Sequence, residues 1–176
     1  AEESLPYDAL EGVDAITDLA RSLAAAGDEG PRVLVSGSAI GWYGDRGDEV
    51  LTEASAPGTG FLADVCRQWE AAADPAREAG IRVAHPRTGI VLDAGGGVLA
   101  KQLPLFKLGL GGRIGNGHQY MSWIAIEDEV AALRFTLDHE LEGPVILTAP
   151  TPVTNRAFTE ALGGAHRPHV VLVAEG

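Results

Sequence analysis

Residues 33–45, with the sequence VLVSGSAIGWYGD, constrain the fold of this chain more than any other stretch. A short apolar run at 33–35 passes directly into small residues and then into an aromatic-glycine turn. This pattern is typical of a buried parallel strand that ends at a binding site. Small side chains at the end of such a strand let a flat ligand approach the backbone, and the hydroxyls of Ser36 and Ser38 lie within its reach.

Strand and helix signals alternate along the rest of the chain, which predicts an α/β fold with a parallel sheet. Apolar runs predict strands at 13–20, 33–36, 81–87, 145–149 and, more weakly, 170–173. Helical spacing predicts helices at 18–26, 61–73, 98–108, 126–139 and 155–162.

Local signals refine two of these helices. Thr154 is expected to cap the amino end of the helix at 155–162, because a threonine oxygen can accept a hydrogen bond from a free backbone N–H. Within 126–139 the apolar residues Ile126, Val130, Leu133 and Leu137 recur at helical spacing. They are expected to form one buried face.

Composition narrows the choice of partner. The net charge is −12, which argues against a nucleic acid or an anionic membrane as the partner. It does not exclude a small anionic ligand held in a local pocket. The single cysteine, Cys66, excludes an intrachain disulfide and fits a cytoplasmic location, as does the lack of a leader or a membrane-length apolar run. The five histidines form no metal-binding pattern, and no metal is expected.

A glycine-rich block at 87–128 supplies the most specific similarity. Together with the segment at 33–45, it resembles the atypical extended short-chain dehydrogenases/reductases labelled epimerase family protein, a group of NAD-dependent nucleoside-diphosphate-sugar epimerases. The similarity covers roughly residues 10–168. The loops at 93–97 and 109–117 inside the block are either flexible connections or a substrate loop closing over a pocket.

The resemblance implies a Rossmann-like, doubly wound parallel sheet that is incomplete and carries a small C-terminal substrate-side subdomain. Residues 1–176 would form one partial NAD(P)-binding domain, with substrate-side elements at about 95–125 and 144–176. The cofactor would be NAD or NADP, with NADP favoured. The resemblance leaves the substrate and the oligomeric state open.

The resemblance also assigns roles to individual residues. Ser38 matches the catalytic serine that polarises the reacting oxygen, and Tyr43 is the nearest aromatic hydroxyl. The residues expected along the cofactor are Ala20, Ser36, Gly37, Arg87 and Thr88. The residues expected to face the substrate are Lys101, Arg113, Gln119 and Trp123, of which Arg113 could clamp a phosphate through two N–H groups.

Three departures from the family stand out. The glycine-rich dinucleotide fingerprint is absent before Gly12, because the chain begins near the family's fourth strand, which 10–20 resembles. A loop and most of a helix are also expected to be missing after Ala20. The positions of the catalytic tyrosine and lysine are occupied by Leu62 and Cys66, neither of which can transfer a proton as that pair does.

These observations support two hypotheses from different classes. The first is an NAD(P)-dependent oxidoreductase or epimerase-like enzyme acting on a small or nucleotide-linked substrate, and the glycine-rich block favours it. The alternative is a non-catalytic dinucleotide-binding module, a sensor or partner-binding protein that lost the tyrosine and lysine chemistry. Leu62 and Cys66 favour the alternative.

Overall fold

The computed structural model describes residues 7–165. The helices are α1 Tyr7–Ala25, α2 Phe61–Ala72, α3 Asp74–Glu78, α4 Gly97–Lys107, α5 Ile126–Asp138 and α6 Asn155–Ala165. The strands are β1 Val33–Val35, β2 Ser38–Ala39, β3 Arg82–Thr88, β4 Ile90–Leu92, β5 Tyr120–Met121, β6 Trp123–Ala125, β7 Gly143–Leu147 and β8 Val153–Thr154. Short 3-10 turns lie at Gly27–Glu29 and Ile40–Tyr43.

The main sheet is built around β3 and is parallel throughout. β1 and β2 pair with one edge of β3, and β7 pairs with the other edge. Ser38 lies opposite Arg87, and Thr88 lies opposite Leu147. The carboxyl ends of β2, β3 and β7 therefore meet at one edge, where open α/β sheets bind their ligands. The predicted α/β fold with a parallel sheet is confirmed, and its incomplete Rossmann character is consistent with this topology.

Beyond β3 the chain forms a smaller region of two two-stranded sheets. β4 pairs with β6 in parallel, and β5 pairs with β8 in the antiparallel sense. Gly89 links β3 to this region, and a Cβ atom there would lie 2.6 Å from the Ser122 carbonyl oxygen. The two backbones approach so closely that only glycine fits at this position.

The predicted strand at 13–20 is wrong, because α1 is one continuous helix through this segment. The apolar residues Ile16, Ala20 and Leu23 repeat at helical spacing, and this face packs into the core. Ala20 is fully buried against a cluster that includes Ala73 and Ala76. The similarity of 10–20 to the family's fourth strand therefore does not correspond to a strand in this chain.

β1, β3, β7, α2, α4 and α5 lie within one or two residues of their predicted bounds, and α6 extends three residues beyond its predicted end. The helix predicted at 18–26 is the last part of α1, which begins much earlier, at Tyr7. Thr154 caps α6 as expected, since its Oγ1 accepts a hydrogen bond from the Ala157 N–H at 3.2 Å. The strand predicted at 170–173 lies outside the described residues. No helix among residues 7–165 is both long enough and apolar enough to cross a membrane.

The buried face of α5 differs from the predicted one. Val130 and Leu137 are 52% and 47% exposed, whereas Glu129 and Thr136 are buried. The Thr88 hydroxyl donates to Glu129 Oε1 at 2.8 Å, and the Thr136 hydroxyl donates to the helix backbone. Each of these two side chains makes a hydrogen bond that offsets part of the cost of its burial.

Arg82 of β3 fixes the carboxyl end of α5 to the sheet. Its guanidinium donates to the carbonyl oxygens of Thr136, Leu137 and Leu141 at 3.0, 2.9 and 2.8 Å. The carbonyls of Thr136 and Leu137 belong to the last turn of α5 and have no partner within the helix, and a cation at this end also interacts favourably with the helix dipole. This contact therefore positions α5 over β3.

Replacing Ala20 with leucine tests the helical assignment and the close packing of α1. The added methyl groups would meet the small side chains of α2 and α3, and such overpacking costs about 1–3 kcal/mol. We expect Ala20→Leu to lower the free energy of unfolding by that amount in urea denaturation. Ala15 is exposed on the same helix, so Ala15→Leu should leave stability nearly unchanged. Equal effects of the two substitutions would contradict the packing of α1.

Candidate functional site

A buried polar network lies at the carboxyl edge of the main sheet. Arg87 at the end of β3 donates from Nε to Glu70 Oε1 and from Nη2 to Glu70 Oε2, each at 2.9 Å. Ser38 of β2 donates from its hydroxyl to Glu70 Oε1 at 2.7 Å. All three residues are less than one tenth exposed. A carboxylate that receives three donors with good geometry is held in one orientation.

The network exists because three separate elements meet at this point. The register of β2 against β3 places Ser38 opposite Arg87. α2 packs against β2 and carries Glu70 near its carboxyl end, on the buried face of the helix. Glu70 therefore lies between two side chains that parallel pairing has already brought together.

Two aromatic residues of the 3-10 turn after β2 enclose the arginine. The Arg87 guanidinium lies 3.8 Å from the ring centroid of Trp42 and 5.1 Å from that of Tyr43. Its Nη1 donates to the Tyr43 hydroxyl at 2.9 Å and to the Glu53 carbonyl oxygen at 3.4 Å. Cation–π contact favours the buried guanidinium. Every nitrogen of Arg87 is thus engaged within the protein.

The environment of Tyr43 opposes a role as a base. Burial raises the pKa of Tyr43, and the hydrogen bond from Arg87 offsets this only in part. A base that works near neutral pH needs a shift in the opposite direction. Tyr43 is 3% exposed. The structure therefore places it as a hydrogen-bond partner of Arg87.

The positions of the family's catalytic pair carry no proton-transfer group. Leu62 is 63% exposed, and Cys66 is buried. The Cys66 thiol donates to the Ala39 carbonyl oxygen at 3.7 Å, and burial raises the pKa of the thiol. A raised thiol pKa disfavours the reactive thiolate.

The residues expected along the cofactor divide into two groups. Ser36 is buried at the end of β1, and a Cβ atom built on the adjacent Gly37 would meet nothing within 4 Å. Open space therefore borders the backbone between β1 and β2. Ala20 is fully buried in α1. Its expected cofactor contact depended on a strand at 13–20, and the structure has a helix there instead. Arg87 is committed to the network and Thr88 to Glu129.

Glu129 was not anticipated from sequence. It is 7% exposed, and its Oε2 has no hydrogen-bond partner among the described residues. Its partner Thr88 is 41 positions away in the chain, so no local pattern indicates the contact. The sequence did contain a signal for Glu70, because it follows Trp69 at the position where the family's helix carries a glutamate. No role was predicted for Glu70 from that signal.

The residues expected to face the substrate lie in the smaller region. The Gln119 side chain donates to the Ile114 carbonyl oxygen at 3.0 Å, and Trp123 is half-buried in β6. Lys101 is exposed on α4, and Arg113 is exposed in the glycine-rich loop. None of the hydrogen bonds found between residues 7 and 165 joins these four side chains to the network around Glu70.

Asn155 fastens the glycine-rich loop to the amino end of α6. Its side-chain oxygen accepts the Ile114 N–H at 2.8 Å, and its own N–H donates to the Gln119 carbonyl oxygen at 2.9 Å. Arg156 donates from its backbone to the Gly117 carbonyl oxygen at 2.9 Å. The loop is therefore tied at Ile114 and Gly117, and the chain just after it at Gln119, which argues against a flexible connection.

Across the described part of the chain, no three His, Cys, Asp or Glu side chains are grouped so that they could hold a metal ion.

Removing one hydroxyl tests the network. Tyr43→Phe removes the nearer acceptor of Arg87 Nη1 and leaves only the Glu53 carbonyl oxygen at 3.4 Å, and the loss of a buried hydrogen-bond partner costs about 1–3 kcal/mol. We expect the free energy of unfolding in guanidinium chloride to fall by that amount. Tyr120 is 50% exposed, so Tyr120→Phe is the matched control and should change stability by less than about 0.5 kcal/mol. Indistinguishable variants would mean that Tyr43 does not support Arg87.

Curated proteins similar to this chain share one designation. "Epimerase family protein Mb2239" of Mycobacterium bovis is 52% identical over 143 residues, covering 81% of this chain and 48% of that protein. "Epimerase family protein SDR39U1 homolog, chloroplastic" of Arabidopsis thaliana is 40% identical over 134 residues, covering 76% of this chain and 38% of that protein. No protein-family model matches the chain.

Solved structures agree with this similarity. A nucleoside-diphosphate sugar epimerase from Corynebacterium glutamicum superposes with a TM-score of 0.80 at 38% identity, covering 94% of this chain and 37% of that chain. Human epimerase family protein SDR39U1, solved with NADPH, superposes with a TM-score of 0.77 at 30% identity, covering 88% of this chain and 54% of that chain.

The described region therefore has the fold of these epimerases over the part that it shares with them. The chain spans about half the length of the Mycobacterium relative that it matches. The chain belongs to the epimerase family of atypical extended short-chain dehydrogenases/reductases.

Proposed function

We propose that this chain is part of an NAD(P)-dependent, epimerase-like enzyme that acts on a small or nucleotide-linked substrate. The observation that carries the proposal is the buried network that holds Ser38 at the carboxyl edge of the sheet, next to open space at Gly37. Ligands of open α/β sheets bind at this edge. The relative from Corynebacterium glutamicum is a nucleoside-diphosphate sugar epimerase, which supports a nucleotide-linked sugar as the substrate class.

The open space at Gly37 fits a flat cofactor ring. Without a Cβ atom, the backbone of residues 36–38 can contact such a ring directly. Ser36 and Gly37 would line the cofactor, and Thr88 would border it from β3. A nicotinamide cofactor supplies hydride transfer when bound. The NADPH in the human relative supports NADP as the preferred form.

The substrate would lie between the sheet edge and the tied glycine-rich loop. Arg113 is the residue that we propose for a phosphate contact, since an arginine fork can bind two phosphate oxygens. Gln119 and Trp123 would contact the remainder of the substrate, and Lys101 would add positive charge. Such a local cationic surface would offset the acidic charge of the chain, −12, for an anionic ligand.

One observation favours a second candidate, a non-catalytic dinucleotide-binding protein. Leu62 and Cys66 replace the proton-transfer pair, and neither the exposed leucine nor the buried thiol can substitute for it. The loss of a positioned acid or base lowers a rate about 10²–10⁴-fold. A protein of this kind would bind the cofactor and report its presence to a partner without turnover.

Cofactor binding and its location can be measured together. At about 100 times the dissociation constant, NADPH should stabilise the chain by roughly 2.7 kcal/mol, which a thermal-shift titration would detect. Gly37→Val should reduce this stabilisation, because the side chain would enter the open space at the sheet edge. Gly112 also has nothing within 4 Å of a built Cβ, so Gly112→Val is the control and should keep the wild-type shift.

Cofactor binding and turnover, measured together, separate the two candidate functions. A cofactor shift with slow NADPH oxidation across a panel of carbonyl compounds supports the enzyme. A cofactor shift without turnover on any compound supports the non-catalytic protein. If neither NADPH nor NADH changes the melting temperature, cofactor binding by this chain is wrong. If Gly37→Val and Gly112→Val behave alike, the cofactor does not lie at Gly37.

A further inference from the structure

The Ser38 hydroxyl has one hydrogen, and the structure shows where it goes. It is donated to Glu70 Oε1 at 2.7 Å. Both Glu70 oxygens also accept N–H groups of Arg87, and an ion-paired carboxylate can only accept. The hydroxyl therefore cannot reverse its direction toward Glu70, and it offers its lone pairs to any other neighbour.

No protein donor described in the structure uses those lone pairs fully. The N–H groups of Arg87 go to Glu70, Tyr43 and the Glu53 carbonyl oxygen. The Cys66 thiol also lies within hydrogen-bonding reach of Ser38, but its hydrogen is donated to the Ala39 carbonyl oxygen, and a thiol is a weak donor in any case. Ser38 thus keeps accepting capacity that the fold itself does not fill.

Ser38 lies at the edge of the sheet where open α/β folds bind their ligands. It lies near the carboxyl end of β2, where it retains 8% exposure. The preceding residue, Gly37, faces open space. A ligand group arriving at this edge would meet the oxygen of Ser38 as an acceptor, with the hydrogen directed away into the protein.

We propose that Glu70 is a positioning residue that fixes Ser38 as a hydrogen-bond acceptor, so that the site selects the hydroxyl form of its ligand over the carbonyl form. This rests on the proposed function, because it assigns the chemical form of the ligand that the same site binds. A hydroxyl donates to Ser38 Oγ, whereas a carbonyl oxygen would face another acceptor. On this proposal, Ser38 contacts the reacting oxygen as an acceptor of its hydrogen.

A matched pair of ligands tests this selection. UDP-6-deoxyglucose and UDP-4-keto-6-deoxyglucose differ only in whether carbon 4 bears a hydroxyl or a carbonyl group. Each would be titrated calorimetrically into the full chain without a nicotinamide cofactor, so that no oxidation or reduction takes place. We expect the hydroxyl form to bind about tenfold more tightly, the effect of one gained hydrogen bond against one acceptor–acceptor contact.

Variants locate the selection in the Glu70–Ser38 contact. Ser38→Ala leaves the Arg87–Glu70 pair intact and should bring the affinity ratio close to one. Glu70→Gln provides an amide that can donate to Ser38 and should lower or reverse the ratio. Ser22 is exposed on α1, so Ser22→Ala is the control and should keep the wild-type ratio. Circular dichroism on each variant would confirm that it is folded.

Several results would overturn the proposal. Equal or tighter binding of the carbonyl form by the wild-type chain contradicts the acceptor role of Ser38. A wild-type ratio in Ser38→Ala shows that the selection arises elsewhere. Failure of both sugars to bind, with a clear NADPH shift, refutes this selection while cofactor binding stands. Failure of both sugars without any cofactor shift refutes the proposed function as well.

Discussion

A guanidinium and a carboxylate meet inside this protein with almost no access to water. The side chains of Arg87 and Glu70 are 3% and 10% exposed. Removing such charges from water costs several kcal/mol for each ion, and only close, well-aligned contacts offset that penalty. Here the offset comes from two parallel N–H contacts, the Ser38 hydroxyl, the Tyr43 hydroxyl and the Trp42 ring.

This pair determines how the sheet edge is organised. Arg87 comes from β3, Glu70 from α2 and Ser38 from β2, so one interaction joins three elements that are distant in sequence. Burial by itself lowers the pKa of Arg87, but the hydrogen bonds to Glu70 and Tyr43 outweigh it and the net shift is upward. The guanidinium therefore stays charged, and Ser38 remains oriented for as long as the pair is intact.

Local signals predicted the helices α2, α4, α5 and α6 and three strands of the main sheet, β1, β3 and β7. The strands β2, β4, β5, β6 and β8 and the short helix α3 were not predicted, because two to five residues give too little periodicity to recognise. The segment at 13–20 was misassigned because its apolar residues satisfy both strand and helix spacing over a short window. Packing of Ala20 against the core decides between the two, and that contact is not visible in the sequence.

Sequence predicted several residues of the candidate site, but not the hydrogen bonds that connect them. Ser38, Tyr43 and Arg87 were all expected near the ligand, and the structure brings them together around Glu70. The hydrogen bonds among them join side chains up to 44 positions apart in the chain. The sequence alone therefore could not show that every side-chain nitrogen of Arg87 has a partner within the protein, or that the Ser38 hydroxyl donates to Glu70. Glu129 and Thr136 escaped detection because their burial depends on polar partners rather than on apolar spacing.

A double-mutant cycle on the buried pair tests this account most directly. Arg87→Met, Glu70→Gln and the double variant would be compared with the wild-type chain by equilibrium denaturation. We predict that each single change costs about 3–5 kcal/mol, because it leaves an unpaired buried group, and that the double change costs at least about 2 kcal/mol less than the sum. Additive effects below about 1 kcal/mol each, as expected for an exposed pair such as Arg46–Glu49, would contradict the account.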